Sequence, residues 1–332
     1  MSSSWNRAGL PAQANSRLSN SMEVSDISVD DSLTGRIWGG VFFHPRFTVG
    51  AKKCLNLTGE TVFLRHKGSP VCALNLLRHR RPFIRSATIP LLFQYYGVIS
   101  ITRDFPAELP SELNSFIKNE CDIAIFSFPP DFPVEILSAI NMRTREYITL
   151  ALNEDDLRVW GQNFRDDVKN KIRKAERESV EIGEIDVLPE KLWEQAYTRK
   201  NLKPPIAASR LREWCASLIA GSLLKIYIAS KDGHPVAFRG ELIFGDYAYD
   251  WIAGSDPQYH NTGANQLLMA EIGSSIVKSG IKKWDLVGGQ IRTIYDFKKS
   301  FGAREYTYYQ GIICFNVRGK LYSILHKIRH GD

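Results

Sequence analysis

Three different periods follow one another along the chain, and a stretch with no period precedes them. Residues 1–35 hold nine serines and few large apolar groups, so a disordered leader is expected there. Apolar residues first gather at Ile37-Trp38, Val41-Phe42-Phe43 and Phe47. From there to about residue 150 short apolar runs separated by turn residues predict strands mixed with short helices. Residues 61–66 and 70–77 flank Lys67-Gly68 and read as a hairpin. Further strands are expected over 87–93, 98–101, 122–128 and 147–152, with helices over 111–119, opening at a cap near Ser111, and over 135–142.

The period then changes to that of a helix. Leu157, Trp160, Phe164, Val168, Ile172 and Ala175 recur at three- and four-residue steps, while Arg158, Arg165, Lys169, Lys171, Arg173, Lys174 and Arg177 fill the other faces. One long, basic, amphipathic helix is expected, with Asn153 and Asp155-Asp156 at its N-terminus. Helices over 190–201 and 209–220 follow, separated by Pro204-Pro205. The last third alternates at period two. Residues 224–230, 235–244 and 247–253, joined by Asp232-Gly233 and Gly245-Asp246, predict an antiparallel meander. A helix over 264–279, a strand at 283–287, a Gly288-Gly289 break, a helix at 293–300, a strand at 306–315 and a basic helix at 320–330 complete the chain.

Composition narrows the class. The chain has 332 residues, 44% hydrophobic and 24% charged, which excludes collagen-like, fibrous and wholly disordered proteins and suits two domains. Lys and Arg number 43 against 36 acids, a net charge of +7, enough to suggest an anionic partner. Cys54, Cys72, Cys121, Cys215 and Cys314 are odd in number and scattered, so neither a disulfide framework nor a zinc site is expected. The apolar runs near 89–101 and 216–230 are interrupted by Gln94 and Lys225. No membrane-spanning helix or signal peptide is expected, and a cytoplasmic location follows.

Three strings carry a family resemblance. Residues 170–180 (N-K-I-R-K-A-E-R-E-S-V) resemble a helix of FemAB-like transferases. Asp285-Leu286-Val287-Gly288-Gly289, followed by Phe297-Lys298-Lys299-Ser300-Phe301-Gly302, resembles that family's D-x-x-G-G … F-K-x-x-F-G ending. Residues 249–257 (Y-D-W-I-A-G-S-D-P) resemble its Y-Y-x-x-G-x-D-P strand and turn. The order of meander, glycine-led helix, strand, helix and strand is that of a GNAT-type acyltransferase domain. The resemblance implies an α/β protein of two tandem GNAT-like domains with mixed, largely antiparallel sheets. The division would be 36–152, then a basic linking helix at 153–189, then 190–332.

It further implies transfer of an acyl or aminoacyl group onto an amine acceptor in cell-envelope or surface-polysaccharide metabolism. The acceptor would be a nucleotide-sugar or wall precursor. The co-substrate would be acyl-CoA, preferred, or aminoacyl-tRNA, with no tightly bound cofactor. The sequence departs from the R/Q-x-x-G-x-G/A phosphate loop, since Gly263 follows His260-Asn261-Thr262 and Asn265 stands at the last small position; both donors stay open. A non-catalytic module binding an anionic ligand is the third reading.

Acyl transfer needs a polarised carbonyl, a deprotonated amine and a grip on the donor. The motif match places the family's functional lysine at Lys298. Asp250, Asp285 and Asp296 are candidate bases, although Asp250 has Arg239 on the neighbouring strand as an alternative partner. Tyr249 is a candidate hydrogen-bond donor. Asn261, Thr262, Gly263 and Ala264 open a helix whose free N–H groups suit a phosphate, with Gln266 and His260 near enough in sequence to assist and Lys299, beside Lys298, as a further donor-binding candidate. Arg78, Arg80 and Arg81, in an acid-free stretch from Arg65 to Arg85 with six cations, and Arg173 on the basic helix are expected to hold the acceptor or a polyanion.

Overall fold

The computed structural model describes residues 22–26, 34–79, 81–102, 105–198 and 201–330. Its first elements are β1 (Met22–Asp26), a 3-10 turn (Gly40–Phe43), α1 (Pro45–Leu55), β2 (Leu57–Thr58), β3 (Thr61–His66), β4 (Ser69–Asn75), β5 (Arg78–His79), β6 (Ser86–Ala87) and β7 (Val98–Ser100). Then come α2 (Leu109–Glu120), β8 (Ile123–Phe128), α3 (Val134–Ala139), β9 (Arg143–Leu152), α4 (Glu154–Arg158), α5 (Asp166–Arg177), β10 (Glu181–Ile185), α6 (Glu190–Thr198) and α7 (Ala208–Ala220). The meander is β11 (Leu224–Lys231), β12 (His234–Phe244) and β13 (Tyr247–Ser255). A 3-10 turn (Pro257–Thr262), α8 (Ala264–Lys278), β14 (Lys283–Asp285), α9 (Arg292–Lys299), β15 (Arg304–Cys314) and α10 (Val317–His330) close the chain.

Local chemistry explains the elements that match expectation. Lys67 and Gly68 both sit at positive φ, 50° and 79°, the turn whose twist suits a two-residue hairpin. Asn153 caps α4 in a capping box with Asp156. The strands gather into a four-stranded sheet, β1-β3-β4-β7, and an eleven-stranded one, β10-β11-β12-β13-β14-β9-β15-β8-β6-β5-β2. The larger sheet is mixed but mostly antiparallel, with parallel pairing at β13–β14 and β6–β8.

The larger sheet crosses the expected division of the chain. β15 returns from the C-terminal third to lie between β9 and β8, and the first ordered segment packs on later elements, with Phe47 against Trp214 and Trp251. Two buried clusters result. One joins residues 38–142 to α7 and the meander; the other surrounds α8.

Several expectations need correction. Met22–Asp26, inside the expected leader, pairs antiparallel with β3, because the hairpin's free edge offers unpaired backbone groups; residues 1–21 and 27–33 lie outside the described residues. The strand expected over 87–93 ends at Ala87. Pro90 has no N–H for a ladder and Leu92 stands at φ 65°. Glu108, the N-cap of α2, makes no side-chain cap bond, and Ser111 instead donates to the Glu108 carbonyl. The single basic helix is two, α4 and α5, broken at Gly161 with φ 87°. Trp160 serves that break, donating to the Ala270 carbonyl at 3.0 Å and stacking on Phe301. β10 was not anticipated. Among the described residues no helix is long and apolar enough to cross a membrane.

Candidate functional site

The cleft exists because one strand stops early. β13 pairs with β14 only from Tyr247↔Lys283 to Tyr249↔Asp285. β13 runs on to Ser255, whereas the chain after Asp285 turns away through Val287 (φ 57°) and Gly288 (φ 64°). The gap is a cavity of about 560 Å³ walled by the second half of β13, Asn265 and Gln266 of α8, the Val287-Gly288 turn, and Phe297 and Lys298 of α9.

Lys298 forms part of this wall although it is only 5% exposed. Its ammonium lies 2.8 Å from Asp250 and donates to the Leu286 and Val287 carbonyls, the latter at 3.2 Å. An ammonium has three N–H groups, so all three are engaged. Asp250 accepts from Arg239 Nη1 through both oxygens, at 2.7 and 2.6 Å. The Arg239 guanidinium also lies over the Phe297 ring, 5.1 Å from its centroid. Burial alone would raise the Asp250 carboxyl, but Arg239 and then Lys298 outweigh it and hold it below its ordinary value.

Glu241 lies opposite Asp250 on β12, next to a bulge at Gly240, and is fully buried. One oxygen accepts from Trp284 Nε1 at 2.8 Å, and the other has no partner among the described residues. Burial, with the Asp250 charge second, pushes its carboxyl up to about 8. At neutral pH Glu241 is therefore protonated, and Arg239, Lys298 and Asp250 leave the cleft wall with one net positive charge. The sequence reading missed Glu241; a lone acid inside the apolar strand 236–244 was its only signal.

The remaining candidates fall elsewhere. Asp285 is fully buried and accepts from Trp38 Nε1 at 2.7 Å, Tyr95 Oη at 2.6 Å, Thr149 Oγ1 at 2.8 Å and Val287 N at 2.8 Å. It fastens the N-terminal segments to β14 and is no base in the cleft. Tyr249, likewise buried, accepts from Gly39 N at 2.7 Å; its hydroxyl is an anchor. Asp296 pairs with Arg292 at 2.9 Å on the surface.

Gln266 and His260 line the cleft, but Asn261, Thr262, Gly263 and Ala264 do not. Gly263 (φ 82°) packs against the Lys171 carbonyl, and Thr262 Oγ1 accepts from Ala264 N at 3.3 Å. Lys299 turns to Glu305 at 3.4 Å. Arg173 is exposed and reaches Asn170 at 3.2 Å. Arg78 bonds Glu120, and Arg81 bonds the Tyr322 hydroxyl. β5, which holds Arg78, stands five strands from β14, about 24 Å at ordinary strand spacing. Arg80 lies outside the described residues.

Residues 162–299 match the acetyltransferase (GNAT) domain family. Solved structures extend the likeness along the chain. FemX shares 10% identity at a TM-score of 0.67, covering 91% of this chain and 99% of its own. A tandem GNAT protein from the clavulanic acid biosynthesis pathway shares 11% at 0.53, covering 89% and 99%. The C-terminal domain of a putative lysylphosphatidylglycerol synthetase from Agrobacterium fabrum shares 11% at 0.53, covering 77% and 84%. The chain thus has the FemX-like, tandem-GNAT fold that the FemAB-like resemblance implies. No curated protein matches it by sequence.

Proposed function

We propose that this protein transfers an acyl or aminoacyl group from a carrier to an amine acceptor, with the reacting carbonyl in the cleft between β13 and α9. The observation that carries the reading is the Lys298 ammonium, fixed in the cleft wall where β14 leaves β13. As the amine attacks, negative charge gathers on the carbonyl oxygen, and a preorganised cation lowers the energy of that state. Because the three Lys298 donors already have acceptors, it acts as a fixed charge rather than through a fourth hydrogen bond. Arg239 and Asp250 hold it there. The edge of β13 that β14 leaves unpaired offers backbone groups to an extended, amide-bearing donor arm.

An acyl-CoA donor fits that edge and the GNAT domain. Aminoacyl-tRNA is the second reading, favoured by the entry to α8. The Ala264 and Gln266 amides already have acceptors in Thr262 and Gly263, so the usual helix-terminus seat for a pyrophosphate is partly filled. The acceptor class, an envelope or surface-polysaccharide precursor handled in the cytoplasm, rests on the resemblance. Thermal shift with CoA against retardation by tRNA over a salt series separates the donors; stabilisation by neither would remove the transferase reading.

A further inference from the structure

Helix α10 wears its apolar stripe on the outside. Val317, Leu321, Ile324 and Leu325 fall at i, i+4, i+7 and i+8, one face of a helix, and each is between 55% and 71% exposed. The other face does the packing. Gly319 lies against the Asp122 carbonyl so closely that a Cβ would stand 2.1 Å from the oxygen. Tyr322 receives the Arg81 guanidinium over its ring at 5.0 Å and through its hydroxyl.

A second exposed element stands beside α10. The loop 81–85 is tied to α10 at one end by Arg81 and Tyr322. At the other, Arg85 and Asn316 meet on the Asp122 carboxylate, at 3.1 and 2.7 Å. Between those ties stands Phe83, 86% exposed. Charge then selects an occupant. The sequence 317–330 contains Arg318, Lys320, Lys327 and Arg329 and no acid, and 81–85 adds Arg81 and Arg85. Asp122 is already taken by Arg85 and Asn316. Like charge opposes a second copy seated on the same face, and a soluble polyanion would leave the large apolar side chains in water.

We propose that this face docks on the surface of an anionic lipid bilayer, with Phe83 and the α10 stripe at the acyl boundary and Arg81, Arg85, Arg318 and Lys320 among the headgroups. β15 leaves the level of Asp285 in the direction in which β13 runs on to Ser255. α10 therefore begins at the sheet end that carries the cleft.

Flotation of the full chain with vesicles tests this. Vesicles of phosphatidylcholine mixed with phosphatidylglycerol should carry the protein up at low salt, and less of it at high salt; vesicles of phosphatidylcholine alone should not. Leu321→Gln with Leu325→Gln should weaken binding about tenfold or more, while Val277→Gln, exposed on α8, should not. Phe83→Gln, in a loop, is the second variant should the helix pair disturb folding. No flotation on the mixed vesicles, or flotation indifferent to the apolar substitutions, would overturn the proposal. So would a lipid-free dimer in sedimentation that Leu321→Gln with Leu325→Gln dissociates, since a second copy would then be the occupant.

Discussion

Asp250 is the shared counter-ion of Lys298 and Arg239, at 2.8 Å from one and within 2.7 Å of the other. One carboxylate serves two buried cations and leaves one positive charge over, so the three side chains are not equivalent. Asp250→Asn strands both cations in a dry wall and should cost about 3–5 kcal/mol. Lys298→Met leaves the Arg239–Asp250 pair intact and should cost clearly less. Urea midpoints measure both; equal losses would mean that Asp250 does not hold the pair.

Asp285 acts on the cleft from outside it. Its Oδ1 accepts from Val287 N, which keeps a β-branched residue at φ 57°, a conformation costing about 1–3 kcal/mol. That turn aims the Leu286 and Val287 carbonyls at Lys298. Asp285→Ala, which removes the acceptor of the Val287 amide, should therefore release Lys298 and make it reactive toward acetic anhydride, read by peptide mass spectrometry. Adding Val287→Gly, which tolerates positive φ, should restore protection of Lys298 without restoring the bonds from Trp38 and Tyr95. Protection that never changes would disconnect Asp285 from the lysine.

Glu241 gives the fold a pH dependence of definite sign. Its carboxyl moves from 4.5 up to about 8 on folding, because burial and then Asp250 disfavour its charge. The folded state holds a proton that the unfolded state has lost, so stability is full below pH 4.5 and falls as pH rises toward about 8. Glu241→Gln should flatten Tm across that window and leave the acid side unchanged. An unaltered pH slope would assign the fall to other groups.

Gly263 joins α8 to α5 by contact. A Cβ there would stand 2.1 Å from the Lys171 carbonyl, at a φ of 82°. Gly263→Ala should lower stability by about 1–3 kcal/mol, measured by thermal melting; a neutral result would show that the turn can shift away from α5.

The meander and its turns were legible because period-two alternation and Asp232-Gly233 and Gly245-Asp246 are local signals. The pairing of Asp250 with Arg239 was legible too, since adjacent strands bring such residues together. The broken helix was not. Leu157, Trp160 and Phe164 have helical spacing, yet Gly161 lets Trp160 pack from a turn against Phe301 and Trp284. Spacing cannot distinguish a stripe from residues that reach one core by separate routes. Asp285 and Tyr249 looked catalytic in sequence because their partners, Trp38, Tyr95 and Gly39, lie about two hundred residues away. Long-range contacts of that kind leave no periodic trace.

The central claim is that the cleft moves an acyl group under the charge of Lys298. The direct measurement is mass-spectrometric detection of an acylated amine product. The protein would be incubated with acetyl-CoA or aminoacyl-tRNA and a panel of amine acceptors, as wild type and as Lys298→Ala of verified fold. A product formed by the wild type and reduced at least about a hundredfold by Lys298→Ala is the expected result. Equal product from both proteins would contradict the account.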